Sequence, residues 1–394
     1  MHTKVRPLFP VAALGATLLV TACGGGGGGE AQGTVRMALT DAPACGYDHV
    51  YVTVEKVRLH KSDEAAESEG GWEEIVLATP KRLDLLELTN GTLEELGQTE
   101  VPSGSYRQVR LVLAENQAGA PLANAVQPTG GALVPLRTPS AQQSGLKLKT
   151  RIDVEPAGLA DLVLDFDACR SVVKAGNSGA YNLKPVLSLA QRVQTGIQGY
   201  VSTTMTLGST LVSAQQNGVV VRSSAPDATG RFVLPFLGAG NYDVVITSAG
   251  RATAVLTSVP VSTATTTLNG TATAFLPPTS AMRQVSGTAR TGTVTPTTVT
   301  TADVRATQPL TGGPVIQVAA TPVDATDGTY RFDLPAAAPV KASYTLGGTP
   351  VFAADVPVAG KYTVQASAPG FTTGVTQAAD VSTANAVVDL QFGP

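Results

Sequence analysis

The sequence predicts an all-β protein made of several β-sandwich domains, and three observations predict it. Apolar and polar residues alternate with period 2, turn-forming dipeptides punctuate the segments, and the second half of the 394-residue chain contains an internal repeat. Val50, Val52 and Val54 alternate with Tyr51, Thr53 and Glu55, which is the pattern of a half-buried strand. Apolar parity then switches to Val57 and Leu59, so a bulge is expected near Glu55-Lys56. The four acids between Ser62 and Glu69 read as a solvated hairpin tip. Trp72, the single tryptophan, is expected to pack in the core at a strand start; a carbohydrate platform is the competing role. Asn90-Gly91 is a turn signal, and Thr92 to Leu96 is expected to form a short helical turn. Tyr106 to Leu113 alternates again, and Leu159 to Phe166 reads as a more buried strand. Asn90-Gly91-Thr92 and Asn269-Gly270-Thr271 match the glycosylation sequon, and turn formation is the preferred reading of both.

Beyond Glu155 there is no glutamate, and Thr, Ala, Val and Gly take over, so a boundary is expected near residues 190–198. The repeat follows. Gly230-Arg231-Phe232-Val233-Leu234-Pro235 returns as Tyr330-Arg331-Phe332-Asp333-Leu334-Pro335, and Ala239-Gly240-Asn241-Tyr242 as Ala359-Gly360-Lys361-Tyr362. Val261-Ser262-Thr263-Ala264 then recurs as Val381-Ser382-Thr383-Ala384. The offset grows from 100 to 120, which places a 20-residue insertion after Pro335 of the second copy. The expected organisation is residues 1–22 as signal, 23–33 as tether and 34–194 as a β-rich first domain. The repeats are 195–276 and 284–394, and 277–283 is a short Pro-stiffened linker.

At the start, Lys4 and Arg6 precede an apolar run from Leu8 to Val20, and Val20-Thr21-Ala22 stand before Cys23. The run is too short to span a bilayer, which takes about 20 apolar residues. This pattern resembles a bacterial lipoprotein signal with Cys23 as the lipidated residue, and the resemblance implies diacylglyceryl attachment and acylation of the new amino terminus. Gly24 to Gly29 then form a flexible tether with a reach on the order of 15–20 Å. An export signal of this kind places the chain in an oxidising compartment, where the two remaining cysteines, Cys45 and Cys169, are expected to pair. Closing so long a loop is worth up to about 5 kcal/mol in the chain-entropy model. The implied location is a bacterial cell envelope, and Gly24 rather than Asp after the cysteine fits the outer membrane of a Gram-negative cell. With a net charge of −3, more negative once Lys4 and Arg6 leave, nucleic acid is excluded as a partner on charge.

The repeat motif, with Asp327-Gly328-Thr329-Tyr330, Leu334-Pro335 and Gly360-Lys361-Tyr362, resembles the carboxypeptidase regulatory-like, transthyretin-like sandwich family. The resemblance implies Greek-key sandwiches acting as spacers or binding modules. The first domain carries Leu39-Thr40-Asp41-Ala42-Pro43, Asp84-Leu85-Leu86, Tyr106-Arg107-Gln108-Val109-Arg110-Leu111, Ser144-Gly145-Leu146-Lys147, Asp165-Phe166-Asp167 and Asn182-Leu183-Lys184-Pro185. In this order they look like a domain-of-unknown-function family of bacterial lipoproteins, which brings no activity with it.

The best polar constellation is Asp41, Asp48, Asp165 and Asp167, flanking the two cysteines; gathered at one end of the sandwich they would offer hard oxygen ligands for Ca²⁺. Turn capping and solvation are the competing roles, Asp165 and Asp167 sharing one parity. Catalysis has little support. Only His49 and His60 remain after processing, and Ser144-Gly145-Leu146-Lys147 and Ser171-Val172-Val173-Lys174 satisfy S-x-x-K without the helix it requires. His49 reads as a solvated surface histidine. The expected function is therefore a lipid-anchored, non-enzymatic envelope protein without a cofactor, binding an envelope partner or serving as a spacer. A glycan- or Ca²⁺-binding surface module is the alternative, and an envelope hydrolase comes third.

Overall fold

The computed structural model describes residues 30–42, 46–138, 145–184, 186–292 and 296–393. Cys23, Cys45 and Ser144 lie outside the described residues. The protein is nearly all β, with strands assembled into several stacked sheets, as the alternation predicts.

Two sheets build the first domain. One orders Leu187–Gln191, Leu159–Asp167, Gln32–Ala42 and Glu94–Pro102, with the central pair parallel. The other is organised around Tyr47–His60, which pairs with Glu73–Asp84, Gly104–Leu113 and Ala125–Pro128. Its register shifts between Val54 and Lys56, where the parity switch placed the bulge. The bulge lets Val50, Val52, Val54, Val57 and Leu59 all enter one core with Met37, Leu39, Leu164 and Phe166.

Three local expectations change. Thr92 to Leu96 holds no helical turn: Asn90 and Gly91 adopt left-handed φ of 56° and 82°, and the chain reverses directly into the strand Glu94–Pro102. The helical turn falls earlier, at Leu85–Glu87, because the Asp84 carboxylate accepts from Leu86 N and caps it. The hairpin tip after Ser62 exposes its glutamates but is fastened by its backbone. Gln108 Nε2 donates to Asp63 O (2.7 Å) and the buried Arg110 donates to Ala65 O (2.6 Å). Trp72, just before its strand, is half-buried rather than in the apolar core. The Arg58 and Arg110 guanidinium carbons each lie 4.5 Å from its ring centroid, so the ring shields two cations.

In the middle of the chain a six-stranded sheet orders Val219–Ser224, Leu211–Gln216, Gly240–Thr247, Ala254–Val261, Val340–Ser343 and Ala353–Ala354. It faces the strands Arg231–Pro235, Gly196–Tyr200 and Thr266–Thr267 across a core holding Phe232, Leu234 and Val244. The last part repeats this layout. A sheet of Val315–Pro322, Asp303–Pro309, Lys361–Ser367 and Val375–Asp380 closes over Met282–Thr291 and Thr329–Pro335 around Phe332, Leu334 and Val364. The repeated tyrosines each donate to a backbone carbonyl, at different positions: Tyr242 Oη to Gly238 O (2.9 Å) and Tyr362 Oη to Pro335 O (2.6 Å).

The two repeats are not independent. The strands Val340–Ser343 and Ala353–Ala354 belong to the insertion expected after Pro335, yet they extend the sheet of the preceding repeat. Val340 and Ala342 are buried in the middle core. In return, Val245 and Val255 of the middle sheet are buried in the core of the last repeat.

Candidate functional site

The parallel pairing of Gln32–Ala42 with Leu159–Asp167 sets Thr40 opposite Asp165 and Asp41 opposite Phe166, so three of the four acids gather at one end of the first domain. Strand parity sends Leu164 and Phe166 into the core and Asp165 to the opposite face. At Asp165 that face is covered by the middle repeat. Arg222, from the strand Val219–Ser224 of the middle repeat, donates to Asp165 Oδ2 (2.9 Å) and to Ser188 Oγ (3.0 Å). Side-chain exposure is 6% for Arg222 and 13% for Asp165, so the ion pair is sealed between modules.

Asp167 caps the helical turn Ala168–Ser171, its Oδ1 accepting from Arg170 N at 3.0 Å. Buried Asp41 accepts from Ala168 N at 3.0 Å and so holds the same turn from the neighbouring strand. Asp48 is elsewhere: it lies in the second sheet and accepts from Gly130 N at 2.9 Å. Among the described residues no group of three or more His, Cys, Asp or Glu side chains is arranged to hold a metal ion. Burial pushes the Asp167 carboxyl up to about 6; Arg170 opposes the rise, and Asp165 and Asp303 add to it. Burial also raises Asp165, against the pull of Arg222 and Ser188.

Around this pair the last repeat closes the junction. Lys184 donates to Asp303 Oδ2 (3.0 Å) and Thr301 O (2.7 Å), and Gly176 N donates to the Asp324 carboxylate (2.9 Å). Asn90, at the turn, accepts from Ser224 Oγ (2.7 Å) and Val233 N (3.0 Å) of the middle repeat. Fully buried Gln215 exchanges two bonds of 2.8 Å with the backbone of Gln317 and so stands in for a strand along that edge. A cavity of about 160 Å³ remains where the three modules meet, lined by Asp165, Asp167, Arg170, Ser188, Ser213 and Gln317 among others.

Cys169 is disulfide-bonded and lines this cavity. Ser171 is buried and accepts from Val186 N (2.8 Å), while Lys174 follows on the strand Val172–Ala175, so no helix places that lysine beside the serine. His49 is not simply solvated: its Nδ1 lies 2.5 Å from Asp84 Oδ2 and its ring stacks on Tyr51. Sequence reasoning missed Arg222, although a lone cation within Val219-Val220-Val221-Arg222 is a signal for a buried pair. It had no signal for Gln215, Gln317 or the side-chain role of Asn90.

Residues 32–185 match the family described as "Domain of unknown function (DUF4382)", which supports a domain of unknown function in the N-terminal part of the chain. No curated protein matches the chain in sequence. Among solved structures, a mutant type II cohesin–X-dockerin complex from Acetivibrio cellulolyticus is 26% identical over 21% of this chain and 55% of its own, with a TM-score of 0.18. The chain thus spans little more than half of that structure. The TIE protein of Bacillus anthracis is 11% identical over 92% of this chain and 50% of its own, TM-score 0.18. A streptococcal ancillary pilin is 12% identical over 92% of this chain and 99% of its own, TM-score 0.17. At these scores the likenesses carry no argument about partner or arrangement. Nothing in the comparisons indicates catalysis.

Proposed function

We propose that this chain is a lipid-anchored, non-catalytic protein of a bacterial cell envelope that presents a rigid three-module surface to an envelope partner. The observation that carries this reading is the sealed junction: a buried Arg222–Asp165 pair, a donated strand and a shared core join the three modules. A hinged spacer would not bury its joints in this way. Each of the acids Asp41, Asp165 and Asp167 already accepts bonds within the protein, which favours a structural lock over a Ca²⁺ or glycan site.

The finer features of the proposal rest on sequence and local geometry. Cys23 is the lipidated residue, and the two repeats are transthyretin-like modules divided near residues 195, 277 and 284. Cys45 is the partner of Cys169: it follows Ala42 by three residues, Ala42 pairs with Asp167, and Cys169 follows Asp167 by two. Cys23, by contrast, precedes the opposite end of the same strand, which is about 35 Å long. The tether enters beside Ser103 and Lys61, whereas contacts to the last repeat begin at Lys174, Gly176 and Lys184 beyond the far end of that strand. The last repeat therefore lies toward the end of the first domain opposite the tether, and the middle repeat flanks the first domain.

Affinity capture from the protein's own envelope, with the full chain and with Cys23→Ala, tests the reading. Membrane retention that depends on Cys23 and a stoichiometric protein partner are expected. Capture of glycan alone, or turnover in hydrolase profiling, would replace it.

A further inference from the structure

The strands Val340–Ser343 and Ala353–Ala354 are joined by an apolar tip, in which Leu346 is 87% and Val351 85% exposed. Ala342 to Ala354 contains no charged residue, and the Lys341–Asp355 ion pair closes the base of the hairpin at 3.1 Å. The tip is held in place. Gly348 N donates to Thr345 O (3.0 Å) across a tight turn in which Gly347 takes a φ of 69°. Tyr344 and Phe352 pack against the middle core, with the Phe352 ring 5.7 Å from that of Phe275.

A second uncovered feature lies at the other end of the same sheet. A groove of about 560 Å³ runs between the middle and last repeats, inside the range of about 300–1,000 Å³ usual for ligand sites. Leu211, Met282, Val318, Leu334 and Pro335 give it apolar walls. Among the described residues Asp333, paired with Arg331, is the one charge that lines it. The strand register separates groove from tip. Leu211 stands opposite Thr247, and Ile246 and Val340 both stand opposite Ala254, so the hairpin starts at the groove end and runs away from it past Thr257. Three strand spacings, about 14 Å, also lie between Leu211–Gln216 and Val340–Ser343. A hairpin fastened by Tyr344 and Phe352 does not reach the groove of its own chain.

We propose that the tip of one copy seats in the groove of a second, a head-to-tail contact that joins copies into rows or rings. Both surfaces are apolar and almost free of charge, as the centre of a protein interface is. They are also different surfaces, so the contact does not close as a two-fold dimer. A lipid surface suits the tip less well, because Gly347, Gly348 and Thr349 between the two aliphatic residues would carry bare backbone into hydrocarbon. The contact is independent of the envelope partner proposed above, and either stands without the other.

Sedimentation of the soluble chain lacking Cys23, up to about 1 mM, is expected to show reversible growth beyond a dimer. Leu346→Asp on the tip and Ala249→Trp on the groove margin change exposed positions, and each should weaken association at least about tenfold without moving the thermal unfolding midpoint. Under mild oxidation of the full chain in detergent, Leu346→Cys mixed with Ala249→Cys should cross-link, whereas neither variant alone should. A monomer at every concentration, growth that stops at a dimer, or unweakened association in Leu346→Asp overturns the proposal. So does a mixture that fails to cross-link, or Leu346→Cys that cross-links to itself. Binding of the monomeric soluble chain to phosphatidylcholine vesicles, abolished by Leu346→Asp, would assign the tip to lipid instead.

Discussion

The two repeats share a layout and differ in what covers them. In the middle repeat the sheet face turned from its own core is buried: Ser213, Gln215, Val245 and Val255 are at most 4% exposed. Its edge strand Ala254–Val261 is paired by Val340–Ser343. In the last repeat the residues that take the places of Val245 and Val255 in the register are Gln365, partly exposed, and Thr376, exposed, and nearby Arg305 is exposed and hydrogen-bonded to Gln365. Its edge strand Val375–Asp380 exposes Thr376, Gln377, Ala378 and Asp380. The last repeat thus has the polar outer face of a terminal module in a stack, with a charged, polar edge that discourages pairing. One fold supplies an internal layer and a cap, and the difference lies in the face residues and one insertion.

This contrast can be broken most severely from the internal face. Val255→Asp would bury a charge with no partner and is expected to cost about 4 kcal/mol or prevent folding, whereas Thr376→Asp should stay within about 0.5 kcal/mol in urea denaturation. Next comes the sealed pair. Arg222→Ala strands Asp165 in the junction and is expected to cost about 3 kcal/mol, while the exposed Arg331, paired with Asp333, should be replaceable by Ala at almost no cost. Pro at position 340 removes the bond from Val340 N to Thr253 O and is expected to cost about 2 kcal/mol. It should also speed exchange in residues 254–257 and promote self-association through the freed edge, whereas Pro at 376 should do neither. The smallest effect is at the turn: Asn90→Ala loses two bonds and a left-handed residue, for about 1 kcal/mol in thermal unfolding.

Much of the first domain was legible because its information is local. Val50 to Leu59 carries both its alternation and its bulge, and Asn90-Gly91 carries its turn. The helical turn was misplaced because Thr92 to Leu96 has no competing local signal, while the cap that decides the matter is one carboxylate, Asp84, eight or more residues away. The repeated motifs fall on strands of like layout, Arg231–Pro235 and Thr329–Pro335. The pairing of Val340–Ser343 was not legible, since Val340-Lys341-Ala342-Ser343 has the same alternation whichever sheet receives it. The site was half legible. Asp41, Asp165 and Asp167 converge as their spacing around the cysteines suggested, but what they meet is Arg222 and the backbone of a helical turn, and that depends on how modules pack. Pairing between modules leaves only a faint trace in either partner's sequence, here one arginine in an apolar strand.

Whether the three modules form one rigid unit can be measured directly by electron–electron distance spectroscopy. Spin labels at Glu100→Cys in the first domain and Thr376→Cys in the last repeat, both exposed positions, would report across the junction in a soluble chain lacking Cys23. A single narrow distance is expected, broadened by Arg222→Ala. A broad or multimodal distribution in the unmodified junction would contradict a rigid three-module surface.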